Sequence, residues 1–216
     1  MRYFISDLHF YHEALNKRMD KRGFDSVLDT NEYMIDRWNS RVRNKKDEVV
    51  ILGDFSVSFD GKQTNDILNR LNGRKILVKG NHDRYLKDKE FDSSLFEEIV
   101  DYREYSDNKR KVICCHYPVF CYNKQYSLDE EGNLRSYMLY GHVHNTYDEY
   151  LLDCFIKQSR NTIRSVYGKG DMSIPCNMIN CFCMFSDYVP LTLDEWIELD
   201  NKRRASLKRE TYEICE

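Results

Sequence analysis

The chain has 216 residues, of which 41% are hydrophobic and 32% charged, with a formal net charge of -3. That length and mixture fit a single domain spanning 1–216 with room for a sizeable core, and exclude a disordered segment. The slight acidity excludes a chain that captures nucleic acid through overall basicity. The one dense basic run, "NKRRASLKRE" near the C-terminus, reads as a solvated helix face.

"RYFIS" reads as a short apolar strand that stops at Asp7. "DTNEYMIDRWNSRV" places Tyr33, Met34, Trp38 and Val42 at helical spacing, with Asp29 or Thr30 as the expected cap. "DEVVILGD" is a buried-type strand. "TNDILNRLNG" is a helix with Ile67, Leu68 and Leu71 inward and Gly73 as its stop. "RKILVKGN" is a third strand, so this half alternates strand and helix as a parallel α/β sheet does. Further on, "EEIVDYREYSDNKRKVICCHYP" reads as two strands joined by a turn at 106–109, and "RSYMLYGH" as another strand. Residues 146–166 read as a helix with Tyr147, Tyr150, Leu151, Cys154 and Phe155 on one side, a stripe expected to be core. "NMINCFCMF" is a late strand, and "TLDEWIELDNKRRASLKRE" a final helix.

The eight cysteines form no CxxC pair, so they are expected to remain reduced and to act as small hydrophobes. No apolar run is long enough for a leader or a membrane span, and a cytoplasmic location with no membrane partner is the expectation.

The polar residues that carry chemistry recur at one kind of place, just after a strand. Asp7 and His9 follow "IS", Gly53 and Asp54 follow "VVIL", and Gly80, Asn81, His82 and Asp83 follow "KILVK". His116 follows "VICC", and Gly141, His142 and His144 follow "YMLY". Loops at the carboxyl ends of strands build the active sites of α/β folds. Carboxylate, amide oxygen and imidazole are donors for divalent Mn, Fe, Co, Ni and Zn. Residues two apart on an extended segment point to one side, so Asp7 with His9, and His142 with His144, are expected to reach a common centre.

The series from Asp7-Leu8-His9 through Gly53-Asp54, Gly80-Asn81-His82-Asp83 and His116 to Gly141-His142-Val143-His144 resembles the calcineurin-like metallophosphoesterase superfamily. "SDLHFYH", "LGDF" and "RLNGRKILVKGNHD" look closest to its small bacterial and phage members. The resemblance implies an α/β fold of the α/β/β/α type, a sandwich of two mixed β-sheets flanked by helices. It implies two divalent metal ions, manganese first, with iron, zinc, nickel or cobalt as alternatives. Asp7, His9 and His144 would hold one ion, Asn81, His116 and His142 the other, and Asp54 would bridge them. His82 would face the phosphate as the catalytic residue and protonate the leaving oxygen or stabilise the developing charge. Attack by metal-bound hydroxide would then hydrolyse a phosphate mono- or diester.

Substrate contacts are expected from Asn81 and His82, with His12 and Arg84 as further candidates. Phosphoprotein phosphatases of the superfamily carry GDxxDRG. Here the text is "GDFSVSF", with Val57 at the second Asp, which argues against that substrate class and leaves the partner that orients His82 open. A nucleotide or other small phosphate ester is the expected substrate. Alternatives are a single-strand nuclease that uses residues 160–169, and a non-catalytic metal-binding scaffold. Residues 145–176 are a candidate specificity insert.

Overall fold

Alternation along each strand sorts side chains onto two faces, and this sorting explains the layers. The computed structural model describes residues 1–168 and 170–207. β1 (Arg2–Ile5), β2 (Glu48–Ile51), β3 (Arg74–Val78) and β4 (Glu98–Val100) form one sheet in that order, every pair parallel. Its antiparallel element is a single bridge between Phe4 and Leu191. The later strands are β5 (Tyr102–Asp107), β6 (Arg110–Cys115), β7 (Ser136–Tyr140), β8 (Ile163–Val166), β9 (Gly170–Ser173) and β10 (Met178–Asn180). The second sheet runs β10-β7-β6-β5, with only the β5–β6 pair antiparallel, while β8 and β9 form a separate hairpin.

Phe4, Val50, Leu52, Ile76 and Val78 of the first sheet meet Val112, Cys114, Leu139 and Ile179 of the second in one core. The alternate residues Tyr3, Ile5, Val49, Ile51 and Leu77 face outward against α2 (Val27–Arg41) and α3 (Gly61–Arg70), which follow the short α1 (Ala14–Lys17). On the far side Ile113, Met138, Tyr140 and Met178 pack on Ile156 of α4 (Tyr147–Asn161). α5 (Leu193–Leu207) closes one end of the central core with Trp196, whose indole N–H donates to Phe4 O at 2.8 Å. The result is the expected sandwich of parallel and mixed sheets between helical layers.

Four expectations change in detail. Ser26, not Asp29 or Thr30, caps α2, accepting from the Asp29 N–H at 3.1 Å. β4 and β5 are separated only by Asp101, yet they lie in different sheets, so the stretch read as one strand is two. α4 ends at Asn161, and Ile163–Val166 is a strand rather than more helix. The stripe on α4 is not core: Tyr147, Leu151 and Phe155 are 70%, 49% and 40% exposed, and Tyr150 and Cys154 are half-buried. The helix buries Glu149, Asp153 and Ile156 instead, because Arg203 and Arg204 of α5 pair with the two carboxylates. Lys169 and residues 208–216, which include Cys215 and the end of the basic run, lie outside the described residues. No helix among the described residues is long and apolar enough to cross a membrane.

The parallel bridge between Ser6 and Phe182 joins the carboxyl end of β1 to that of β10. Both sheets therefore present their strand ends along one edge.

Candidate metal centre

Backbone conformation at this edge is unusual. Asp7, His9, Asp54, His142 and His144 all have positive φ, between 50° and 75°. Side chains two apart do converge, but through left-handed turns rather than an extended segment. Asp and His tolerate that region better than most L-residues. Leu8 and Val143 are the intervening residues, and both are buried in apolar clusters. Gly141 must be glycine for closeness: a Cβ there would stand 2.7 Å from Ser6 Cβ and against the Asp7 carboxylate.

Donor atoms from all five strand ends come together. His9 Nε2 and His144 Nε2 are 3.0 Å apart, and His144 Nε2 is 3.7 Å from Asp7 Oδ1. Asp54 Oδ2 lies 3.5 Å from both His9 Nε2 and His116 Nε2. Asn81 Oδ1 is 3.0 Å from His116 Nε2 and 2.9 Å from His142 Nδ1. Two ligands about 2.1 Å from one cation, at roughly 90–109° to each other, stand about 3.0–3.4 Å apart. The His9–His144, Asn81–His116 and Asn81–His142 separations, 2.9–3.0 Å, sit at the short end of that range, and the three separations to Asp7 and Asp54, 3.5–3.7 Å, lie just beyond it. Asp7 belongs to two groupings, one with His9 and His144 and one with Asp54 and His116, so its carboxylate reaches both halves of the centre.

The hydrogen-bonding chemistry also fits a cation. His116 Nδ1 donates to Leu52 O at 2.8 Å, so in the neutral ring Nε2 is a lone pair. That lone pair faces the oxygens of Asn81 and Asp54, a set of acceptors with no proton between them. His144 Nδ1 donates to Asp20 Oδ1 at 2.7 Å, which leaves its Nε2 directed at His9 and Asp7.

Burial holds the His9 imidazole well below its ordinary range, assisted by the neighbouring His144 and Arg22. Burial also lowers His142, with His116 adding to the effect. Both shifts favour the neutral imidazole, the form in which a histidine can bind a cation. His144 moves the other way: burial pulls it down, but the Asp20 hydrogen bond and the Asp7 carboxylate outweigh that. Burial raises Asp7, against the pull of His144 and His116.

His82 donates its backbone N–H to Asp54 Oδ1 at 2.7 Å, and its half-buried ring lies 5.3 Å from that of His9. Among the described residues no side chain is hydrogen-bonded to the His82 ring. Asp83 does not orient it. The Asp83 carboxylate is buried and accepts from the N–H groups of Asp54 (3.0 Å), Phe55 (2.8 Å) and Gly80 (2.7 Å). Burial pushes Asp83 up to about 6 despite these bonds. His12 is brought to the site: its Nδ1 is 3.4 Å from His9 Nδ1 and its ring 6.4 Å from that of His82. Arg84 is set with its guanidinium over the Phe59 ring, 5.6 Å from the centroid, rather than among the histidines.

Three residues at the site lie outside the strand-end series. Asp20 and Arg22 sit in the irregular segment after α1, where no periodicity marks them. Tyr117 is nearly half exposed, and its ring lies edge-on 4.7 Å from that of His142. Its position directly after His116 was the only signal.

Residues 3–175 match the family model for calcineurin-like phosphoesterases. The chain is 30% identical over 205 residues to the uncharacterized protein MJ1445 of Methanocaldococcus jannaschii, covering 94% of this chain and 93% of that one. It is also 30% identical over 164 residues to the Gene 66 protein of Mycobacterium phage D29, covering 66% of this chain and 78% of that protein. A crystal structure of the protein of unknown function AQ665 from Aquifex aeolicus is similar, with a TM-score of 0.59 and 27% identity, covering 92% of this chain and 98% of that one. Phage and archaeal relatives are consistent with the resemblance to small bacterial and phage members, and the chain belongs to the calcineurin-like phosphoesterase family.

Proposed function

We propose that the protein is a dinuclear-metal-dependent phosphoesterase acting on a nucleotide or another small phosphate mono- or diester. The spacing of its donors, 2.9–3.7 Å between atoms from five separate strand ends, carries this reading. Asp7, His9 and His144 would hold the first cation and Asn81, His116 and His142 the second, with Asp54 between them. When bound, divalent cations supply Lewis acidity that lowers the pKa of water and polarises phosphoryl oxygens.

The chain's own groups do the rest. Asp54 divides its oxygens: Oδ2 faces the donors of both halves, while Oδ1 accepts from the His82 N–H and fixes the start of that turn. His82 then donates a proton to the leaving oxygen from the open side of the centre, and His12, beside it, contacts the phosphate. Buried Leu8 and Val143 exclude water from beneath the donors.

A Mn-supplemented panel comparing a phosphomonoester, a linear phosphodiester and cyclic nucleotides tests the reading. Turnover of at least one ester, abolished by chelation and restored by Mn, is the expected result. No turnover of any ester by protein that has bound Mn would revive the scaffold alternative. One observation favours a second reading, a nuclease on single strands: Tyr147, Leu151 and Phe155 form an exposed apolar face on the helix that begins just after His144. Oligonucleotide affinity that falls with salt supports it, and no such affinity removes it.

A further inference from the structure

Asp20 and Arg22 form a buried ion pair at 3.0 Å, each side chain only 1% exposed. Neither belongs to the series of strand-end residues. Asp20 Oδ1 accepts from His144 Nδ1 at 2.7 Å, and Oδ2 accepts from Arg22 Nε at 3.0 Å. The remaining guanidinium donors reach back to the first loop: Nη1 to Leu8 O at 2.6 Å and Nη2 to Asp7 O at 3.0 Å. These two carbonyls lie between the side chains of Asp7 and His9. One ion pair therefore touches the supports of all three donors grouped as Asp7, His9 and His144.

Among the described residues, no carboxylate stands behind the imidazoles of the other half of the centre. His116 is tied to Leu52 O, a backbone carbonyl, and Asn81 and His142 are exposed. A carboxylate behind a ligating imidazole fixes its tautomer and orientation and raises its basicity, and loss of such a partner costs about 10–100-fold in metal affinity.

We infer that Asp20 and Arg22 are positioning residues that make the Asp7–His9–His144 half of the centre the tight cation site and leave the other half the weaker one. This rests on the dinuclear reading above. In it Asp20 holds His144 with its lone pair outward, while Arg22 neutralises Asp20 and pins the backbone between Asp7 and His9.

The test is Mn(II) binding to the full chain after chelator treatment, followed through the loss of the free-ion electron paramagnetic resonance signal. Wild type is expected to bind two Mn in two classes. His144→Ala should abolish the tight class and His142→Ala the weak one. Asp20→Leu should weaken the tight class by about 10–100-fold and leave the weak class as in wild type. Asp20→Asn, which keeps an oxygen acceptor for His144 without the charge, should recover part of the loss. Should Asp20→Leu fail to fold, the same class-selective loss in Asp20→Asn decides.

Equal weakening of both classes, or no change in either, overturns the inference. So does loss of the class that His142→Ala removes. If wild type itself binds fewer than two Mn, the dinuclear reading fails and the positioning role fails with it. Two normal classes in the Asp20 variants would leave that reading intact and sink the positioning role alone.

Discussion

Replacing Glu149 with Gln should make the stability of this protein respond differently to pH. Between α4 and α5 three carboxylates, Glu149, Asp153 and Asp200, meet two guanidiniums, Arg203 and Arg204, so the cluster carries one excess negative charge. Glu149 is the carboxylate that yields. Burial, helped by Asp153 and opposed by Arg203 and Arg204, pushes it up from 4.5 to about 7. As pH rises through the unfolded value the unfolded chain releases its proton first. Stability therefore falls across the window from about 4.5 to 7 and levels above it. A shift of that size corresponds to about 3 kcal/mol. In Glu149→Gln the new side chain keeps the geometry: its oxygen can accept from Arg203 and its amide donate to the Tyr140 hydroxyl, which in wild type donates to Glu149 at 2.9 Å. The variant should thus exceed wild type by about 1 kcal/mol near pH 5 and by about 3 kcal/mol near pH 8. Urea unfolding of both proteins at the two pH values, with chelator present throughout, measures the difference. A difference that does not change with pH refutes the reasoning.

Other outcomes follow from the site and the core. His82→Ala should retain its cations by metal analysis yet lose about 10²–10⁴-fold in turnover, whereas Asp54→Ala should lose cations as well; equal metal loss in both would remove His82 from its assigned role. Gly141→Ala should lower cation occupancy, because its Cβ cannot fit beside Ser6 and the Asp7 carboxylate, and binding at wild-type level would contradict that closeness. Leu139→Ala opens the core between the sheets and should cost about 2–5 kcal/mol in urea unfolding. Leu151→Lys on the outward face of α4 should stay within about 0.5 kcal/mol of wild type, and a core-sized loss would restore the inward stripe.

The buried strands and the strand-end donors were legible because they rest on short-range signals: apolar runs, then a polar residue, with glycine beside it. What escaped depends on partners distant in sequence. The α4 stripe looked like core because Tyr, Leu and Phe outrank Glu and Asp on any apolarity scale. The true inward face is set by Arg203 and Arg204, some fifty residues on, which pair with Asp153 and Glu149. β4 and β5 read as one strand because a change of sheet across Asp101 leaves no break in composition. Asp20 was invisible for the same reason, since its meaning comes from His144, which is 124 residues away.

The left-handed turns show why this edge needs a buried anion and a buried cation besides the candidate donors. Five donor residues in that region cost about 1 kcal/mol each, on the order of 5 kcal/mol together. Such turns also divert backbone groups from the sheet ladder, and buried groups left unpaired would cost more. Two side chains of opposite charge collect them. Asp83 accepts the N–H groups of Asp54, Phe55 and Gly80, and Arg22 donates to the carbonyls of Asp7 and Leu8. An anion suits the N–H groups and a cation the carbonyls, so the two cannot exchange places. The strand-end loops are thereby held from behind by side chains other than the candidate donors. The half of the centre where Arg22 also carries Asp20 to His144 is the half where this holding extends from backbone to imidazole.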